Sequence, residues 1–280
     1  MNQPSIIGVD LGGTKVQAAR LKGIQIEQTH RKLISSQGAE EQILQEAIAT
    51  IEAVWSEEVA GIGMGIPSIV DVEKGIVYDV QNIPSWKEVH VKEVLETHFK
   101  CPVYVNNDAN CFALGEKYFG EGKGHSNMLG LIIGTGMAAG VIIQDKLYSG
   151  HNCGAGEFGM IPYLNHNYEY YCSGQFFSHI HQTNGLQLSE KAKANDPQAL
   201  EIFEQYGRYL GNAISSILYA VDPACIVLGG SVSKSYPFFK DALWQQLANF
   251  AYSPTVDRLT IKASKHENIA LLGAAALCLE

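Results

Sequence analysis

The chain lacks any run of basic residues and is poor in charge overall. Charged residues make up 18% of its 280 residues, and the formal net charge is -9. Proteins that bind nucleic acids ordinarily carry a basic patch or stripe, so the composition argues against a nucleic-acid partner. It does not argue against a nucleotide ligand, because backbone amides and magnesium can hold phosphate groups.

Long apolar runs and paired cysteines are also missing. No apolar run reaches the roughly 18 residues of a membrane span, and residues 1–5 lead straight into a strand instead of a secretion signal. The six cysteines form no C-x-x-C pair. We therefore expect no membrane contact and a cytoplasmic protein with reduced thiols. The length of 280 residues allows one large or two medium domains, and an apolar content of 46% suffices for a buried core.

The stretch at residues 105–110, Val-Asn-Asn-Asp-Ala-Asn, organises the rest of the chain. It follows an apolar run, 102–105, that predicts a short strand, and it precedes a predicted helix over 111–119. A carboxylate such as Asp108 at the end of a buried strand is suited to removing a proton from a bound alcohol, and the flanking side chains of Asn106, Asn107 and Asn110 are suited to orienting hydroxyls. Burial can raise the pKa of such a carboxyl toward the working range. The alternative is a helix N-cap, which Asn and Asp favour without any chemistry.

Two glycine-rich turns each join a pair of predicted strands. The first, Asp10-Leu11-Gly12-Gly13-Thr14-Lys15, lies between strands over 6–9 and 16–21; the second, Gly134-Thr135-Gly136, lies between strands over 128–133 and 138–143. Successive backbone N–H groups in such turns can cradle phosphate, and Asp10 can hold magnesium through water. Each turn alone is equally an ordinary hairpin turn. Together they indicate a duplicated domain whose halves present turns to one polyphosphate.

Helical and strand periodicity predicts the remaining framework. We expect helices over 39–55, 91–99, 197–221, 238–250 and 269–279, and strands over 59–66, 225–228 and 260–263. Gly229-Gly230-Ser231 then falls at the carboxyl edge of a buried strand, where α/β folds bind ligands, and its backbone suits a nucleoside. The flexible segment 120–124 suggests a boundary just before it. The predicted domains are 1–118, with a closing helix at about 269–280, and 119–268.

Polar loops with aromatic residues suit a sugar. Asn82-Ile83-Pro84-Ser85-Trp86 fits a sugar-facing loop and equally a plain surface loop, and the glycine-rich segment 150–160 carries one carboxylate, Glu157, with Glu169 close behind. The alternative for these acids is a solvated loop. The nearby histidines form no zinc set of familiar spacing with Cys153 and Cys172, so we expect no metal there.

The motifs together resemble those of the ROK family (repressor, open reading frame, kinase) over most of the chain. The matching segments, in the order found in the family, are DLGGTK at 10–15, GIGMGIPSIVD at 61–71, NIPSW at 82–86, NDAN at 107–110, ALGE at 113–116, GTG at 134–136 and LGGSVS at 228–233. The resemblance implies an α/β fold of two actin-like (ribonuclease H-like) ATPase domains around a central cleft.

The same resemblance implies an ATP-dependent hexose kinase, glucokinase-like, that works as a homodimer. Asp108 would be the catalytic base and Asp10 would position Mg²⁺. The implied ATP-binding residues are Asp10, Gly12, Gly13, Thr14, Lys15, Gly134, Thr135, Gly136, Gly229 and Gly230. The implied sugar-binding residues are Ser68, Asn82, Asn107, Asp108, Glu157 and Glu169.

The sequence also departs from the family's pattern. The family's GHxxV segment is Gly159-Met160-Ile161-Pro162 here, and of its CxCGxxGCxE zinc segment only the final acid, Glu169, remains. We therefore expect no structural zinc, and the hexose stays open among glucose, fructose, mannose, allose and N-acetylated hexoses. Two other functions are considered: a non-catalytic sugar- and ATP-binding protein, and a transcriptional regulator. The regulator would need a helix-turn-helix segment before the first strand, for which we expect no room.

Overall fold

The computed structural model describes residues 4–280. The first half of the chain forms β1 (Ser5–Leu11), β2 (Lys15–Lys22), β3 (Gln25–Leu33), α1 (Glu40–Glu52), β4 (Val59–Ile66), β5 (Ile69–Asp71), β6 (Ile76–Tyr78), β7 (Glu88–Val89), α2 (Val91–Phe99), β8 (Val103–Asn107) and α3 (Asp108–Tyr118).

The second half begins at β9 and ends with a short helix. Its elements are β9 (Met128–Ile133), β10 (Met137–Ile143), β11 (Lys146–Leu147), β12 (Pro162–Tyr163), β13 (His166–Asn167), α4 (Tyr168–Cys172), α5 (Gly185–Lys193), α6 (Pro197–Val221), β14 (Cys225–Gly229), α7 (Tyr236–Leu247), α8 (Ser253–Arg258), β15 (Thr260–Ala263) and α9 (Ile269–Ala276). Single turns of 3-10 or π helix cover Phe158–Met160, Phe176–Ile180, Val232–Ser235 and Leu277–Leu279.

Two five-stranded sheets repeat one topology. The first has the order β3-β2-β1-β4-β8 and the second the order β11-β10-β9-β14-β15. In each sheet three strands form an antiparallel meander and the next two run parallel to the first strand of that meander. The repeated strand–turn–strand pattern in the sequence therefore belongs to two copies of one sheet arrangement, as predicted.

The parallel strands bring the predicted site residues to matching edges. Asp10 on β1 is in register with Gly65 on β4, which is in register with Asn106 on β8. In the second sheet Gly229, at the end of β14, is in register with Ile132, two residues before the second glycine turn. The carboxyl ends of parallel strands meet at one edge of a sheet, which is where open α/β sheets bind ligands.

Helices α3 and α9 form the layer between the two sheets, and glycines let them approach closely. A Cβ added at Gly8 on β1 or Gly63 on β4 would overlap with the backbone of α9. A Cβ added at Gly130 on β9 or at Gly140 on β10 would also overlap with the backbone of α3. Gly273 of α9 packs against the α3 backbone. The helix that covers the inner face of the first sheet, α9, thus lies more than 200 residues after the strand β1. Helix α3, which directly follows β8, covers the second sheet.

Most predicted elements are present, with shifted ends. The helix predicted over 197–221 and the strand predicted over 260–263 match α6 and β15. The helix predicted over 111–119 begins earlier, at Asp108, and that predicted over 238–250 is α7, which runs from Tyr236 to Leu247. Strand β3 and the helix α5 were not predicted. No helix among residues 4–280 is both long and apolar enough to cross a bilayer.

Candidate active site

Asn107 and Asp108 lie at the boundary between β8 and α3. Asn107 is the N-cap of α3, and its Oδ1 accepts a hydrogen bond of 2.8 Å from the N–H of Ala109. Its Nδ2 donates to the carbonyl of Ser68, at 3.1 Å. Asp108 is the first residue of the helix and stays partly exposed. The helix-cap interpretation of the stretch is therefore confirmed, with Asn107 as the N-cap, and Oδ1 of Asp108 also accepts a hydrogen bond from the Ala109 N–H, at 2.9 Å.

The pKa of the Asp108 carboxyl is raised well above its ordinary value. Desolvation, with the negative charges of Asp10 and Glu157, raises its pKa from 3.8 to about 6, although hydrogen bonds from the N–H groups of Ala109 and Asp108 itself oppose the rise. Carboxyls tuned in this way accept protons near neutral pH and yet remain mostly ionised there.

The first glycine turn lies beside this carboxylate. The pKa of Asp10 is raised by desolvation, and the neighbouring Lys15 ammonium opposes that rise. The turn is closed by the Gly12 N–H, which donates to the Lys15 carbonyl at 2.9 Å. Gly13 lies so close to Asn82 that an added Cβ would overlap with the Asn82 side chain. The predicted sugar residue Asn82 is therefore packed against the predicted phosphate turn.

The second glycine turn is tied to Glu169. The Gly134 N–H donates to the carbonyl of Gly136, at 3.0 Å, and closes the turn. A Cβ added at Gly136 would stand 2.6 Å from Oε2 of Glu169, and this oxygen accepts a hydrogen bond from the N–H of Met137, at 3.0 Å. Thr135 is exposed at the tip. The structure thus places Glu169 at the base of the turn, which the sequence did not indicate.

A third glycine pair adjoins the second turn. Gly230 adopts φ +82°, and a Cβ there would overlap with the Ile133 carbonyl and approach the Gly134 N–H to 3.1 Å. Gly229 leaves room for the ring of Phe112. Only glycine fits a left-handed conformation in so confined a place. The two turns therefore form one continuous backbone surface at the carboxyl edge of the second sheet.

Residues 148–157, here called the crossing loop, pass from the second sheet to the first. Cys153 in this loop is buried in the core of the first sheet, and its thiol donates to Oδ1 of Asn106, at 3.3 Å. Asn110 donates to the Cys153 sulfur, at 3.6 Å, and to Asn106 Oδ1, at 2.8 Å. The loop is thereby anchored directly beneath Asp108.

The crossing loop ends at Glu157. Glu157 is exposed, but partial desolvation of its carboxyl and the negative charge of Glu169 raise its pKa. Asp10, Asp108, Glu157 and Glu169 therefore make a series of acids, here called the acidic row, in which each member feels the next. No backbone hydrogen bond within residues 4–280 joins the two glycine turns themselves.

Asn106, Asn110, Cys153 and Gln175 all contact predicted site residues or their neighbours. The sequence predicted that Asn106 and Asn110 orient hydroxyls, but both are buried, and Asn106 Oδ1 accepts hydrogen bonds from Asn110 and Cys153 instead. Sequence reasoning missed the other two residues. Cys153 and Gln175 had no signal in the sequence, because only the folded chain brings them to the site.

The residues present fit magnesium bound together with a nucleotide. Mg²⁺ keeps several waters and uses one or two carboxylates plus substrate phosphates, so the partly exposed Asp10 beside the first turn suits it. In the described range, 4–280, no group of three or more His, Cys, Asp or Glu side chains is placed to hold a metal by itself.

Comparison with known proteins agrees with this geometry. The model of the ROK family matches residues 6–280. A glucokinase from Thermotoga maritima is 26% identical over 100% of this chain and 99% of its own length. A xylose repressor from Bacillus subtilis is 27% identical over 79% of this chain and 61% of its own length.

A solved structure shows the same fold. The crystal structure of a ROK family glucokinase from Streptomyces griseus in complex with glucose and AMPPNP gives a TM-score of 0.81 at 26% identity, over 98% of both chains. The predicted fold class, two actin-like α/β domains around a cleft, is confirmed. With the family model covering residues 6–280, the chain belongs to the ROK family, which includes sugar kinases.

Proposed function

We propose that the protein is an ATP-dependent hexose kinase in which Asp108 is the general base. The observation that carries the proposal is that the Asp108 carboxylate is partly exposed beside the first glycine turn, accepts a hydrogen bond of 2.9 Å from the Ala109 N–H through Oδ1, and has a pKa raised to about 6. A base with this pKa is ionised at neutral pH and is still basic enough to accept a hydroxyl proton as that hydroxyl attacks.

The reaction transfers one phosphoryl group and one proton. A sugar oxygen forms a bond to the γ-phosphorus of ATP, the bond from that phosphorus to the β,γ-bridging oxygen breaks, and ADP leaves. The sugar hydroxyl proton goes to an Oδ of Asp108. Phosphoryl transfer depends mainly on positioning and charge stabilisation. When bound, Mg²⁺ supplies neutralisation of phosphate charge, and Asp10 is the residue that would hold it.

The glycine turns are proposed to hold ATP. Gly12, Gly13 and Thr14 lie on one side of the cleft, with the Lys15 ammonium beside them, and Gly134, Thr135 and Gly136 lie on the other. Their backbone N–H groups allow close approach of phosphate oxygens. Gly229 and Gly230, continuous with the second turn, are proposed to contact the nucleoside.

Sugar binding is proposed to use Ser68, Asn82, Asn107, Glu157 and Glu169. The first three provide neutral donors and acceptors on the side of the first sheet, and the two acids provide charged acceptors on the side of the second. The Asn107 amide already bonds Ala109 and Ser68, so it presents a fixed orientation to a ligand. We also propose a homodimer without structural zinc, and domains at 1–118 plus about 269–280 and at 119–268.

A non-catalytic sugar- and ATP-binding protein is the second candidate. The observation that favours it is Met160, which stands 51% exposed, three residues after Glu157, where the family's pattern has a histidine. A thioether neither titrates nor donates a hydrogen bond, so sugar contacts at this point would be weaker than with an imidazole.

An ADP-release assay over a panel of hexoses tests the proposal. Release that depends on one or a few sugars and disappears in Asp108→Asn supports the kinase. ATP turnover that no sugar stimulates, or sugar binding with no ADP release, supports the second candidate. Specific operator binding in a gel shift would instead support a regulator.

A further inference from the structure

The Glu169 carboxylate is held from two directions. Its Oε2 accepts the Met137 N–H at 3.0 Å, and its Oε1 accepts a hydrogen bond from Nε2 of Gln175 at 2.9 Å. Glu169 and Gln175 are both partly exposed. An ionised carboxylate has about four acceptor positions. About two acceptor positions therefore remain on the partly exposed Glu169 after these bonds.

Gln175 is itself fixed by its backbone. The Ser173 N–H donates to the Glu169 carbonyl at 3.1 Å, and the Gln175 N–H donates to Oγ of the fully buried Ser173 at 3.2 Å. The N–H of Gly174 donates to the carbonyl of Gly134, at 2.6 Å, which attaches this segment to the second glycine turn. The Gln175 carboxamide is consequently held close to Glu169 before any ligand arrives.

A neutral donor suits this place. A lysine or arginine would neutralise Glu169 and compete with sugar hydroxyls for its charge, whereas a carboxamide orients the carboxylate and leaves it negative. The Glu157 carboxylate also faces Glu169, and like charges repel. The Gln175 bond therefore opposes the displacement of Glu169 that this repulsion favours.

We propose that Gln175 is a positioning residue for sugar binding: it holds the Glu169 carboxylate so that its unused acceptor positions face a hexose hydroxyl. The inference rests on the proposed hexose kinase function. It assigns Gln175 no contact with ATP. Gln175 donates to Oε1 of Glu169, whereas Oε2 accepts the N–H of Met137, which follows the second glycine turn.

Gln175→Met tests the inference, since methionine keeps the length of the side chain and removes its donor. We expect the KM for the sugar selected in the hexose panel to rise about tenfold, as for loss of a hydrogen bond to a charged group. The KM for ATP should change less than twofold, and the midpoint of thermal unfolding should stay within a few degrees. Gln175→Glu, which keeps the size and adds a repelling charge, should raise the sugar KM further. Gln187→Met, at an exposed position of α5, is the matched control and should leave all three values unchanged.

A double-mutant cycle separates positioning from a general structural role. In a Glu169→Gln background, Gln175→Met should alter the sugar KM less than twofold, because no carboxylate is left to orient. A sugar KM unchanged in both Gln175 variants would overturn the inference alone, and so would an equal effect in the two backgrounds. A wild-type protein that phosphorylates no hexose would overturn the proposed function and this inference with it.

Discussion

Replacing Asp108 with asparagine should remove activity and stabilise the fold at the same time. Asparagine keeps the size of the side chain and can still accept the 2.9 Å hydrogen bond from the Ala109 N–H. It cannot take a proton from an alcohol. Loss of a general base ordinarily costs about 10²- to 10⁴-fold in rate, which corresponds to about 3–5 kcal/mol of transition-state stabilisation.

The effect on stability follows from the raised pKa. The folded-state pKa of Asp108, about 6, lies above its ordinary value of 3.8, so ionisation of the carboxyl destabilises the fold increasingly as the pH rises from 3.8 to about 6, and fully above that. At 1.36 kcal/mol per pKa unit, the difference corresponds to at most about 3 kcal/mol at pH 7. The side chain is partly exposed, so solvent screening reduces this value, and we expect a net gain of about 2 kcal/mol.

Two measurements on Asp108→Asn check this reasoning. ADP release should fall at least a hundredfold, and the thermal midpoint at pH 7 should rise by roughly 5 °C. The rise should shrink as the pH is lowered from 7 to 5, because the wild-type carboxyl then becomes protonated and loses its penalty. Asp79→Asn, at an exposed carboxylate paired with Lys87, is the control and should change neither quantity. A rate within tenfold of wild type would refute the general base, and a lower thermal midpoint would refute the electrostatic account.

The other predictions concern pH, the first glycine turn and the crossing loop. Below about pH 6, kcat/KM for the sugar should fall toward tenfold per pH unit as Asp108 becomes protonated, and a profile that is flat down to pH 5 would contradict this. Gly13→Ala should raise the ATP KM at least about tenfold, because the new methyl group overlaps with Asn82 and must displace the turn. The paired variant Gly12→Ala should change the ATP KM much less, because its Cβ would stand 3.8 Å from its nearest neighbour. Cys153→Ala should lower the free energy of unfolding by about 1–2 kcal/mol, since it removes a buried sulfur and its hydrogen bonds. A denaturant titration that shows no loss of stability would contradict the role of Cys153 as the anchor of the crossing loop.

The sequence predicted the framework because its strands and helices are strongly periodic. It did not predict β3, since every residue of Gln25–Leu33 is exposed and the strand is held by its pairing with β2 instead of by a buried face. Without a buried face a strand has no alternation of apolar and polar residues. The polar composition of this segment therefore gave no signal.

The sequence predicted those candidate site residues that lie at the end of an apolar strand and carry a reactive or hydrogen-bonding side chain. Asp10, Asn107 and Asp108 all follow apolar runs, so a parallel sheet had to bring them to one edge. The position of Glu169 at the second glycine turn depends on the path of the hairpin β12–β13 and α4, which no local pattern encodes. The same holds for Cys153, because its contacts join residues more than forty positions apart along the chain.

The glycine contacts between α9 and the first sheet have a consequence for how the protein is made. Gly8 and Gly63 emerge from the ribosome early, but the backbone that covers them belongs to a helix beginning at Ile269. A nascent chain that stops short of α9 leaves that face of β1 and β4 bare, and pairings so distant along the sequence form slowly. The inner layer of the first sheet therefore cannot close until α9 has been translated, and during this interval the growing polypeptide is open to chaperones or to self-association.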